Sequence, residues 1–159
     1  LEVLKGKGAA MAGSFLELTR GETMELSEEE KSGIRETLKR FFSELKKVGA
    51  EFGYRSAGEM IRLIAFLGHL DSSMSADQKM DVAIVQKMLP KLHGSRRKLQ
   101  DVLSALGKLC VEDEDKDAVN KFPQIDETSR HVRYPLSLEK IQRMYRSAEA
   151  NGFASFAEA

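Results

Sequence analysis

The stretch SEEEKSGIRETLKRFFSELKKVG, residues 27–49, decides the fold class of this chain. Ser27 and Glu30 form the pattern of a capping box, in which two side chains satisfy free backbone N–H groups where a helix starts. Apolar residues then recur with the helical period, and Gly49 follows two lysines as a stop signal. We therefore predict a helix over about 28–48, with an apolar face made of Ile34, Leu38, Phe41, Phe42, Leu45 and Val48.

A second helix is predicted over about 57–69, where Ser56 and Glu59 repeat the capping-box pattern. Its apolar residues cover most of the helix circumference, so we expect this helix to lie at the centre of the fold. A third helix is predicted over about 75–89, ended or bent by Pro90, which lacks a backbone N–H.

Two more helices follow. Ser95 is a candidate cap for a fourth helix over about 96–110, which carries a clear apolar stripe. Ser137 is a candidate cap for the last helix, over about 138–150, and Asn151-Gly152 is the signature of a helix C-terminus. The two phenylalanines beyond it are expected to fold back as apolar anchors; they are Phe153 and Phe156.

The chain is therefore predicted to be all-α, a bundle of about five helices. Residues 1–26 are expected to form a connecting segment, either irregular or a short β-hairpin, and residues 27–159 the helical domain. A long loop over about 111–135 contains the acidic run Glu112–Asp117 and a candidate extended piece, His131–Tyr134. The residues expected to be buried together are Met60, Ile64, Phe66, Leu67, Ile84, Leu89, Leu103 and Leu106.

Composition limits the classes of function. The 159 residues fit one domain, and 25 basic and 25 acidic residues give a net charge of zero. A strongly basic nucleic-acid arm or an acidic tail is therefore excluded as the main feature. A lone cysteine, Cys110, and the lack of a long apolar run predict a cytoplasmic protein without a membrane span. Because the chain does not begin with Met, we expect it to be part of a longer protein.

No catalytic or metal site is predicted. The three histidines, His69, His93 and His131, are scattered and have no metal-ligand spacing with one another or with Cys110. The chain also lacks the Gly-x-x-x-x-Gly-Lys-Ser/Thr loop that cradles phosphates. We therefore expect that this chain alone does not hydrolyse a nucleotide.

Arg55 is a candidate phosphate-binding residue. It lies in Gly53-Tyr54-Arg55 at the mouth of the second helix. There its guanidinium could act together with free N–H groups and the positive end of the helix dipole. The alternative is a surface arginine that pairs with Glu51 or Glu59.

A basic corner is the second candidate site. Residues 87–98 contain five cations and no acidic residue around a break at Pro90 and Gly94. Such a corner could hold an anion, a nucleic-acid backbone or an acidic neighbour, or it could be a solvated surface. No aromatic residue interleaves with the cations, which argues against nucleic acid. The candidate residues are Lys87, Lys91, His93, Arg96, Arg97 and Lys98.

Several stretches resemble an AAA+ family of NTPases. FGYRSAGEM, residues 52–60, is similar to the start of an AAA+ helical lid. QKMLPKLHGS, residues 86–95, is similar to a motif of McrB-type proteins, the motor subunits of methylcytosine-dependent restriction systems. YPLSLEKIQRM, residues 134–144, followed by NGFASF, residues 151–156, resembles the C-terminal tail of the same proteins.

The resemblance implies a helical lid that follows a nucleotide-binding core. Arg55 would be the sensor-2 arginine that reaches the bound nucleotide, and the corner at 87–98 would contact a neighbouring subunit of a ring. ATP or GTP with Mg would bind in the core, not in this segment. The implied partners are the AAA+ core of the parent chain, the neighbouring subunits, a nuclease subunit and DNA. The chain departs from the family in lacking that core with its phosphate loop.

Two functions are therefore open at the level of the sequence. The first is the lid and oligomerisation domain of a DNA-restriction motor. The second is a stand-alone helical adaptor that binds nucleic acid or an acidic protein through the corner at 87–98.

Overall fold

The computed structural model describes residues 26–111, 122–126 and 131–159. The fold in these ranges is mostly helical, as predicted, with a small antiparallel sheet that the sequence analysis missed. The elements are α1 (Glu28–Lys46), α2 (Tyr54–Leu70), α3 (Ala76–Ala83), β1 (His93–Ser95), α4 (Arg96–Leu109), α5 (Pro135–Asn151) and β2 (Phe153–Ser155).

The first helix confirms its predicted capping box. The backbone N–H of Glu30 donates to Ser27 Oγ at 3.2 Å, and the Ser27 N–H donates to the Glu30 carboxylate at 2.9 Å. One face of α1 is buried in the core, as its apolar period predicts. The buried residues of that face are Ile34, Leu38, Phe41 and Leu45.

The second helix begins three residues earlier than predicted, and Ser56 is not its cap. Gly53, in an extended conformation, precedes the helix, and its carbonyl accepts the N–H of Ala57. Because Gly53 occupies the N-cap position, Ser56 lies within the first turn of the helix, where its hydroxyl cannot cap the helix.

The expectation that α2 is central is also wrong. Met60 and Ile64 are buried, but Phe66 and Leu67 are only half-buried, so two of the eight predicted core residues are misassigned. The physical reason is that α2 packs mainly against α3 and α1 and leaves its remaining surface toward solvent. Leu70 at its end is 62% exposed.

The third helix changes its winding before Pro90. A capping box of Ser75 and Gln78 starts it, and the α-helical part ends at Ala83. A π-helical turn, Ile84–Met88, and a 3₁₀ turn, Leu89–Lys91, follow. Since proline has no N–H to donate to the carbonyl four residues earlier, regular α-helical bonding cannot continue through this position.

The two short strands join the basic corner to the C-terminal tail. His93, Gly94 and Ser95 pair with Ser155, Ala154 and Phe153 in antiparallel register. The predicted C-cap is confirmed, since Gly152 has a left-handed φ of 73° that turns the chain from α5 into β2. The prediction that Phe153 folds back as an apolar anchor is wrong, because this residue is 46% exposed. Its neighbour in β2, Ala154, is buried instead.

The core lies between α1, α3, α4 and α5, and α4 packs along α5. Residues 122–126 cover one side of this pair. Phe122 packs edge-on to Tyr145, and a Cβ at Gly107 would come within 2.3 Å of its ring, so glycine permits this close approach. The Ile125 carbonyl accepts a bond of 2.7 Å from the Gln142 amide.

Several predictions fall on other parts of the chain. The hairpin predicted within 1–26 and the acidic run Glu112–Asp117 lie outside the described residues, apart from Leu26, which is buried. The extended piece at 131–134 is seen in part, because Val132 forms an isolated antiparallel bridge with Val111. None of the helices in the described ranges is long and apolar enough to cross a bilayer.

The placement of α2 predicts two opposite mutational outcomes. Ile64→Asp puts an unpaired charge at a site with 2% exposure and should cost about 3–5 kcal/mol, enough to unfold a marginally stable domain. Leu70→Asp, on the exposed end of the same helix, is the matched control and should fold normally. Circular dichroism melting curves compare the two; a folded Ile64→Asp variant with an unchanged melting temperature would contradict this core assignment.

Candidate functional site

Arg55 stands free of the core at the start of α2. Its side chain is 94% exposed, and its Nε lies 3.4 Å from Glu59 Oε1, one helical turn further on. Gly53, the residue before the helix, provides no side chain to cap the first N–H groups. The ion pair with Glu59 is one of the two alternatives weighed for this arginine, and its exposure leaves the guanidinium accessible to a ligand.

Lys87 meets Arg55 at the same carboxylate. Lys87 Nζ lies 3.6 Å from Glu59 Oε2, while Arg55 contacts the other oxygen. Lys87 belongs to the π-helical turn, whose wider winding sets the direction of its side chain. The structure thus brings together two residues that the sequence analysis assigned to different sites. Glu59 was predicted as a partner of Arg55, four residues earlier, but its contact with Lys87 depends on tertiary packing and has no local signal in the sequence.

The remaining residues of the basic corner have separate surroundings. Lys91 Nζ lies 3.5 Å from the carbonyl of Glu51, and is half-buried. Arg96 donates from Nε to Gln100 Oε1 at 3.2 Å and comes within 4.0 Å of Glu149. The corner is therefore not one continuous cluster of free cations.

Three side chains of the corner are exposed and show no ion pair with a carboxylate in the described ranges; they are those of His93, Arg97 and Lys98. The sheet face that carries His93 also contains an aromatic ring. Ser95 is paired with Phe153 across the two strands, and opposed residues of an antiparallel pair point to the same face of the sheet. His93, Ser95 and Phe153 consequently share the outer face, while Ala154 points into the core.

A buried polar cluster joins α3 to α5. The carboxylate of Asp81 accepts the backbone N–H groups of Leu136 and Ser137, each at 2.8 Å, and the Ser137 hydroxyl at 2.5 Å. Asp81 therefore caps α5 from another helix, and the predicted role of Ser137 as the cap is wrong. Instead Pro135 occupies the first position of α5 and Tyr134 precedes it.

Burial raises the pKa of Asp81, whereas the bonds from Ser137 and Leu136 act in the opposite direction. Burial likewise raises the pKa of the Cys110 thiol, with a contribution from the charge of Asp81, so this thiol is not activated as a nucleophile. All polar side-chain atoms buried in the described part of the chain have a hydrogen-bond partner. This cluster is accordingly a structural feature of the fold, and Cys110 is a core residue, as predicted.

The Asp81 cap predicts a specific pH dependence. Asp81→Ala would leave two backbone N–H groups without an acceptor and should lower the free energy of unfolding by about 2–3 kcal/mol. Asp81→Asn keeps one acceptor oxygen and should cost less. Because the pKa of Asp81 is raised in the folded state, ionisation of this carboxyl favours unfolding. The contribution of Asp81 to the free energy of unfolding is therefore largest below the ordinary aspartate pKa and is lost as the pH rises through the raised value.

Urea unfolding between about pH 4 and pH 7 tests this sign. Relative to Asp81→Asn, the wild type should become more stable as the pH is lowered. Asp101→Asn, exposed on α4, is the control and should change stability by less than about 0.5 kcal/mol. If the free energy of unfolding of the wild type, relative to Asp81→Asn, increased toward pH 7, burial could not be the dominant influence on the pKa of Asp81.

Comparison with known proteins adds a family. The chain matches the family described as a domain of unknown function, DUF8727, over residues 7–153. It belongs to this family, since the match covers most of its length. No curated protein and no solved structure matches the chain. Among the described residues, no group of three or more His, Cys, Asp or Glu side chains is arranged to hold a metal ion.

Proposed function

We propose that this chain is the helical lid and oligomerisation region of an AAA+ NTPase of the McrB type, a cytoplasmic motor of DNA restriction. The observation that carries the proposal is Arg55, an exposed arginine in the first turn of a helix that no side chain caps. Such a residue is suited to a phosphate that approaches the helix start from another domain.

The proposed mechanism is sensing of the nucleotide state. In the parent protein, ATP or GTP with Mg binds to the core, and Arg55 contacts its terminal phosphates. Hydrolysis and release of phosphate end that contact, so the lid rotates relative to the core. The packed helices support this role, because Met60 and Ile64 fix α2 to the body and let the lid move as a unit.

The proposed partners follow from the same arrangement. They are the AAA+ core of the parent chain, neighbouring subunits of a ring, a nuclease subunit and DNA. Exposed cations of the corner at 87–98, Arg97 and Lys98 among them, are candidates for the contact with a neighbouring subunit.

Arg55 substitutions in the full-length motor test the proposal. Arg55→Ala should lower steady-state turnover roughly ten- to hundredfold, if a contact of about 1.5–3 kcal/mol strengthens in the transition state. Arg55→Lys should recover only part of the activity, because an ammonium keeps the charge but loses the bidentate geometry. The melting temperature should not change, since the side chain is exposed.

The matched control is Arg62→Ala, which removes an exposed arginine two turns further along α2 and should leave turnover unchanged. Equal turnover for wild type and Arg55→Ala would remove the sensor role. A large loss of stability in Arg55→Ala would instead favour a structural role in the pair with Glu59.

One observation in the structure favours a second candidate function. The sequence analysis argued against nucleic acid because no aromatic residue interleaves with the basic corner, yet Phe153 lies beside Ser95 on the same outer face as His93. Proteins that bind single strands combine exposed basic side chains with aromatic rings on which the bases stack, and the corner contributes Arg97 and Lys98 as exposed basic side chains. This supports the alternative of an adaptor that binds nucleic acid.

The adaptor proposal predicts binding of the isolated chain to a single-stranded oligonucleotide. Phe153→Ala should weaken binding by about 1–3 kcal/mol through loss of stacking. Arg97→Ala should lower the slope of the logarithm of the binding constant against the logarithm of the salt concentration by about one unit. Fluorescence anisotropy measures both. Leu136→Ala, at another exposed apolar residue, is the control. Absence of binding, or equal affinity of wild type and Phe153→Ala, would reject this function.

A further inference from the structure

We propose that Arg55 and Lys87 form one two-cation phosphate site, and that the carboxylate of Glu59 occupies it when no phosphate is bound. The inference rests on the proposed function and deepens it. It assigns a second phosphate ligand, Lys87, and an internal competitor, Glu59, on the side of the lid where Arg55 lies.

The geometry of Glu59 carries the inference. One carboxylate oxygen lies 3.4 Å from Arg55 Nε, and the other lies 3.6 Å from Lys87 Nζ. Two cations that reach the two oxygens of one carboxylate are spaced to reach two oxygens of one phosphate. The carboxylate therefore marks the position of an anion between the two side chains.

A phosphate would compete well for this position. Both Glu59 contacts are at the long end of ion-pair distances, and all three side chains are substantially exposed. Exposed pairs of this kind contribute little to stability. A terminal phosphate has more negative charge than a carboxylate, and arginine binds it through two parallel N–H groups. Displacement of Glu59 by a phosphate should therefore cost little.

The two cations come from different parts of the fold, which gives the site a structural consequence. Arg55 lies in the first turn of α2, whereas Lys87 lies in the π-helical turn before Pro90. Ile84 and Met88 of that turn are fully buried, so the backbone that holds Lys87 is anchored in the core. A phosphate held by both side chains would connect the start of α2 to this anchored segment without the carboxylate between them.

Calorimetric titration of the 159-residue chain with inorganic pyrophosphate at low salt tests the site. Glu59→Gln removes the competing charge and should tighten binding by about two- to fivefold. Arg55→Gln and Lys87→Met should each weaken binding relative to the wild type. Binding should also weaken as salt is added, since Arg55 is exposed and the side chains of Lys87 and Glu59 are about two-fifths open to solvent.

The control is Glu44→Gln. Glu44 pairs with a single cation, Lys47 at 2.6 Å, on the surface of α1, so its loss changes the net charge by the same amount without freeing a two-cation site. It should leave pyrophosphate affinity unchanged. Melting curves of all variants, recorded without ligand, verify that each one is folded at the titration temperature.

Equal affinity of Glu59→Gln and wild type, equal gains for Glu59→Gln and Glu44→Gln, or no effect of Lys87→Met would each overturn the two-cation site. These failures are distinguishable from failure of the proposed function, which is decided by turnover of the full-length motor. If Arg55→Ala lowers turnover while Lys87→Met leaves pyrophosphate binding intact, Arg55 acts without Lys87 and only the present inference is lost.

Discussion

The fold depends on one buried interaction, the carboxylate of Asp81 against the start of α5. It accepts three hydrogen bonds from Leu136 and Ser137, although burial works against its charge. At its other end, α5 continues through Gly152 into β2, the strand that pairs with His93–Ser95. An apolar residue at position 81 would remove the acceptor of two N–H groups in the first turn of α5, of which that of Ser137 is buried, so the carboxylate stabilises the start of the helix.

The candidate site follows from the way α3 ends. A π-helical turn, Ile84–Met88, follows α3 before Pro90, and Lys87 in this turn lies 3.6 Å from Glu59 on α2. Further along the basic corner, Gly94 is the central residue of β1 and has a φ of 147°, which few other residues adopt. The residues of the corner therefore lie in different surroundings: Lys87 lies at Glu59 on α2, whereas His93 shares the outer face of the small sheet with Phe153.

The sequence predicted well those parts of the fold that local signals determine. The capping box at Ser27, the fourth helix from its apolar stripe and the C-cap at Gly152 are examples. It failed where distant residues decide: Asp81 lies 56 residues from Ser137, and no local pattern shows that it replaces the serine as a cap. The three-residue strands are too short for a visible alternation. Apolar residues around α2 suggested a central helix, but burial depends on which neighbours pack on it. The link between Arg55 and Lys87 was hidden for the same reason, since only tertiary packing joins them.

The proposed role of this chain as the lid of a nucleotide-driven motor can be tested by reading the gene sequence upstream of the codon for Leu1. Sequencing the parent gene from its start codon is expected to reveal an α/β core with a Gly-x-x-x-x-Gly-Lys-Ser/Thr loop, followed by an acidic metal site, in the same reading frame. An unrelated domain in that position, or a start codon immediately before Leu1, would contradict the account.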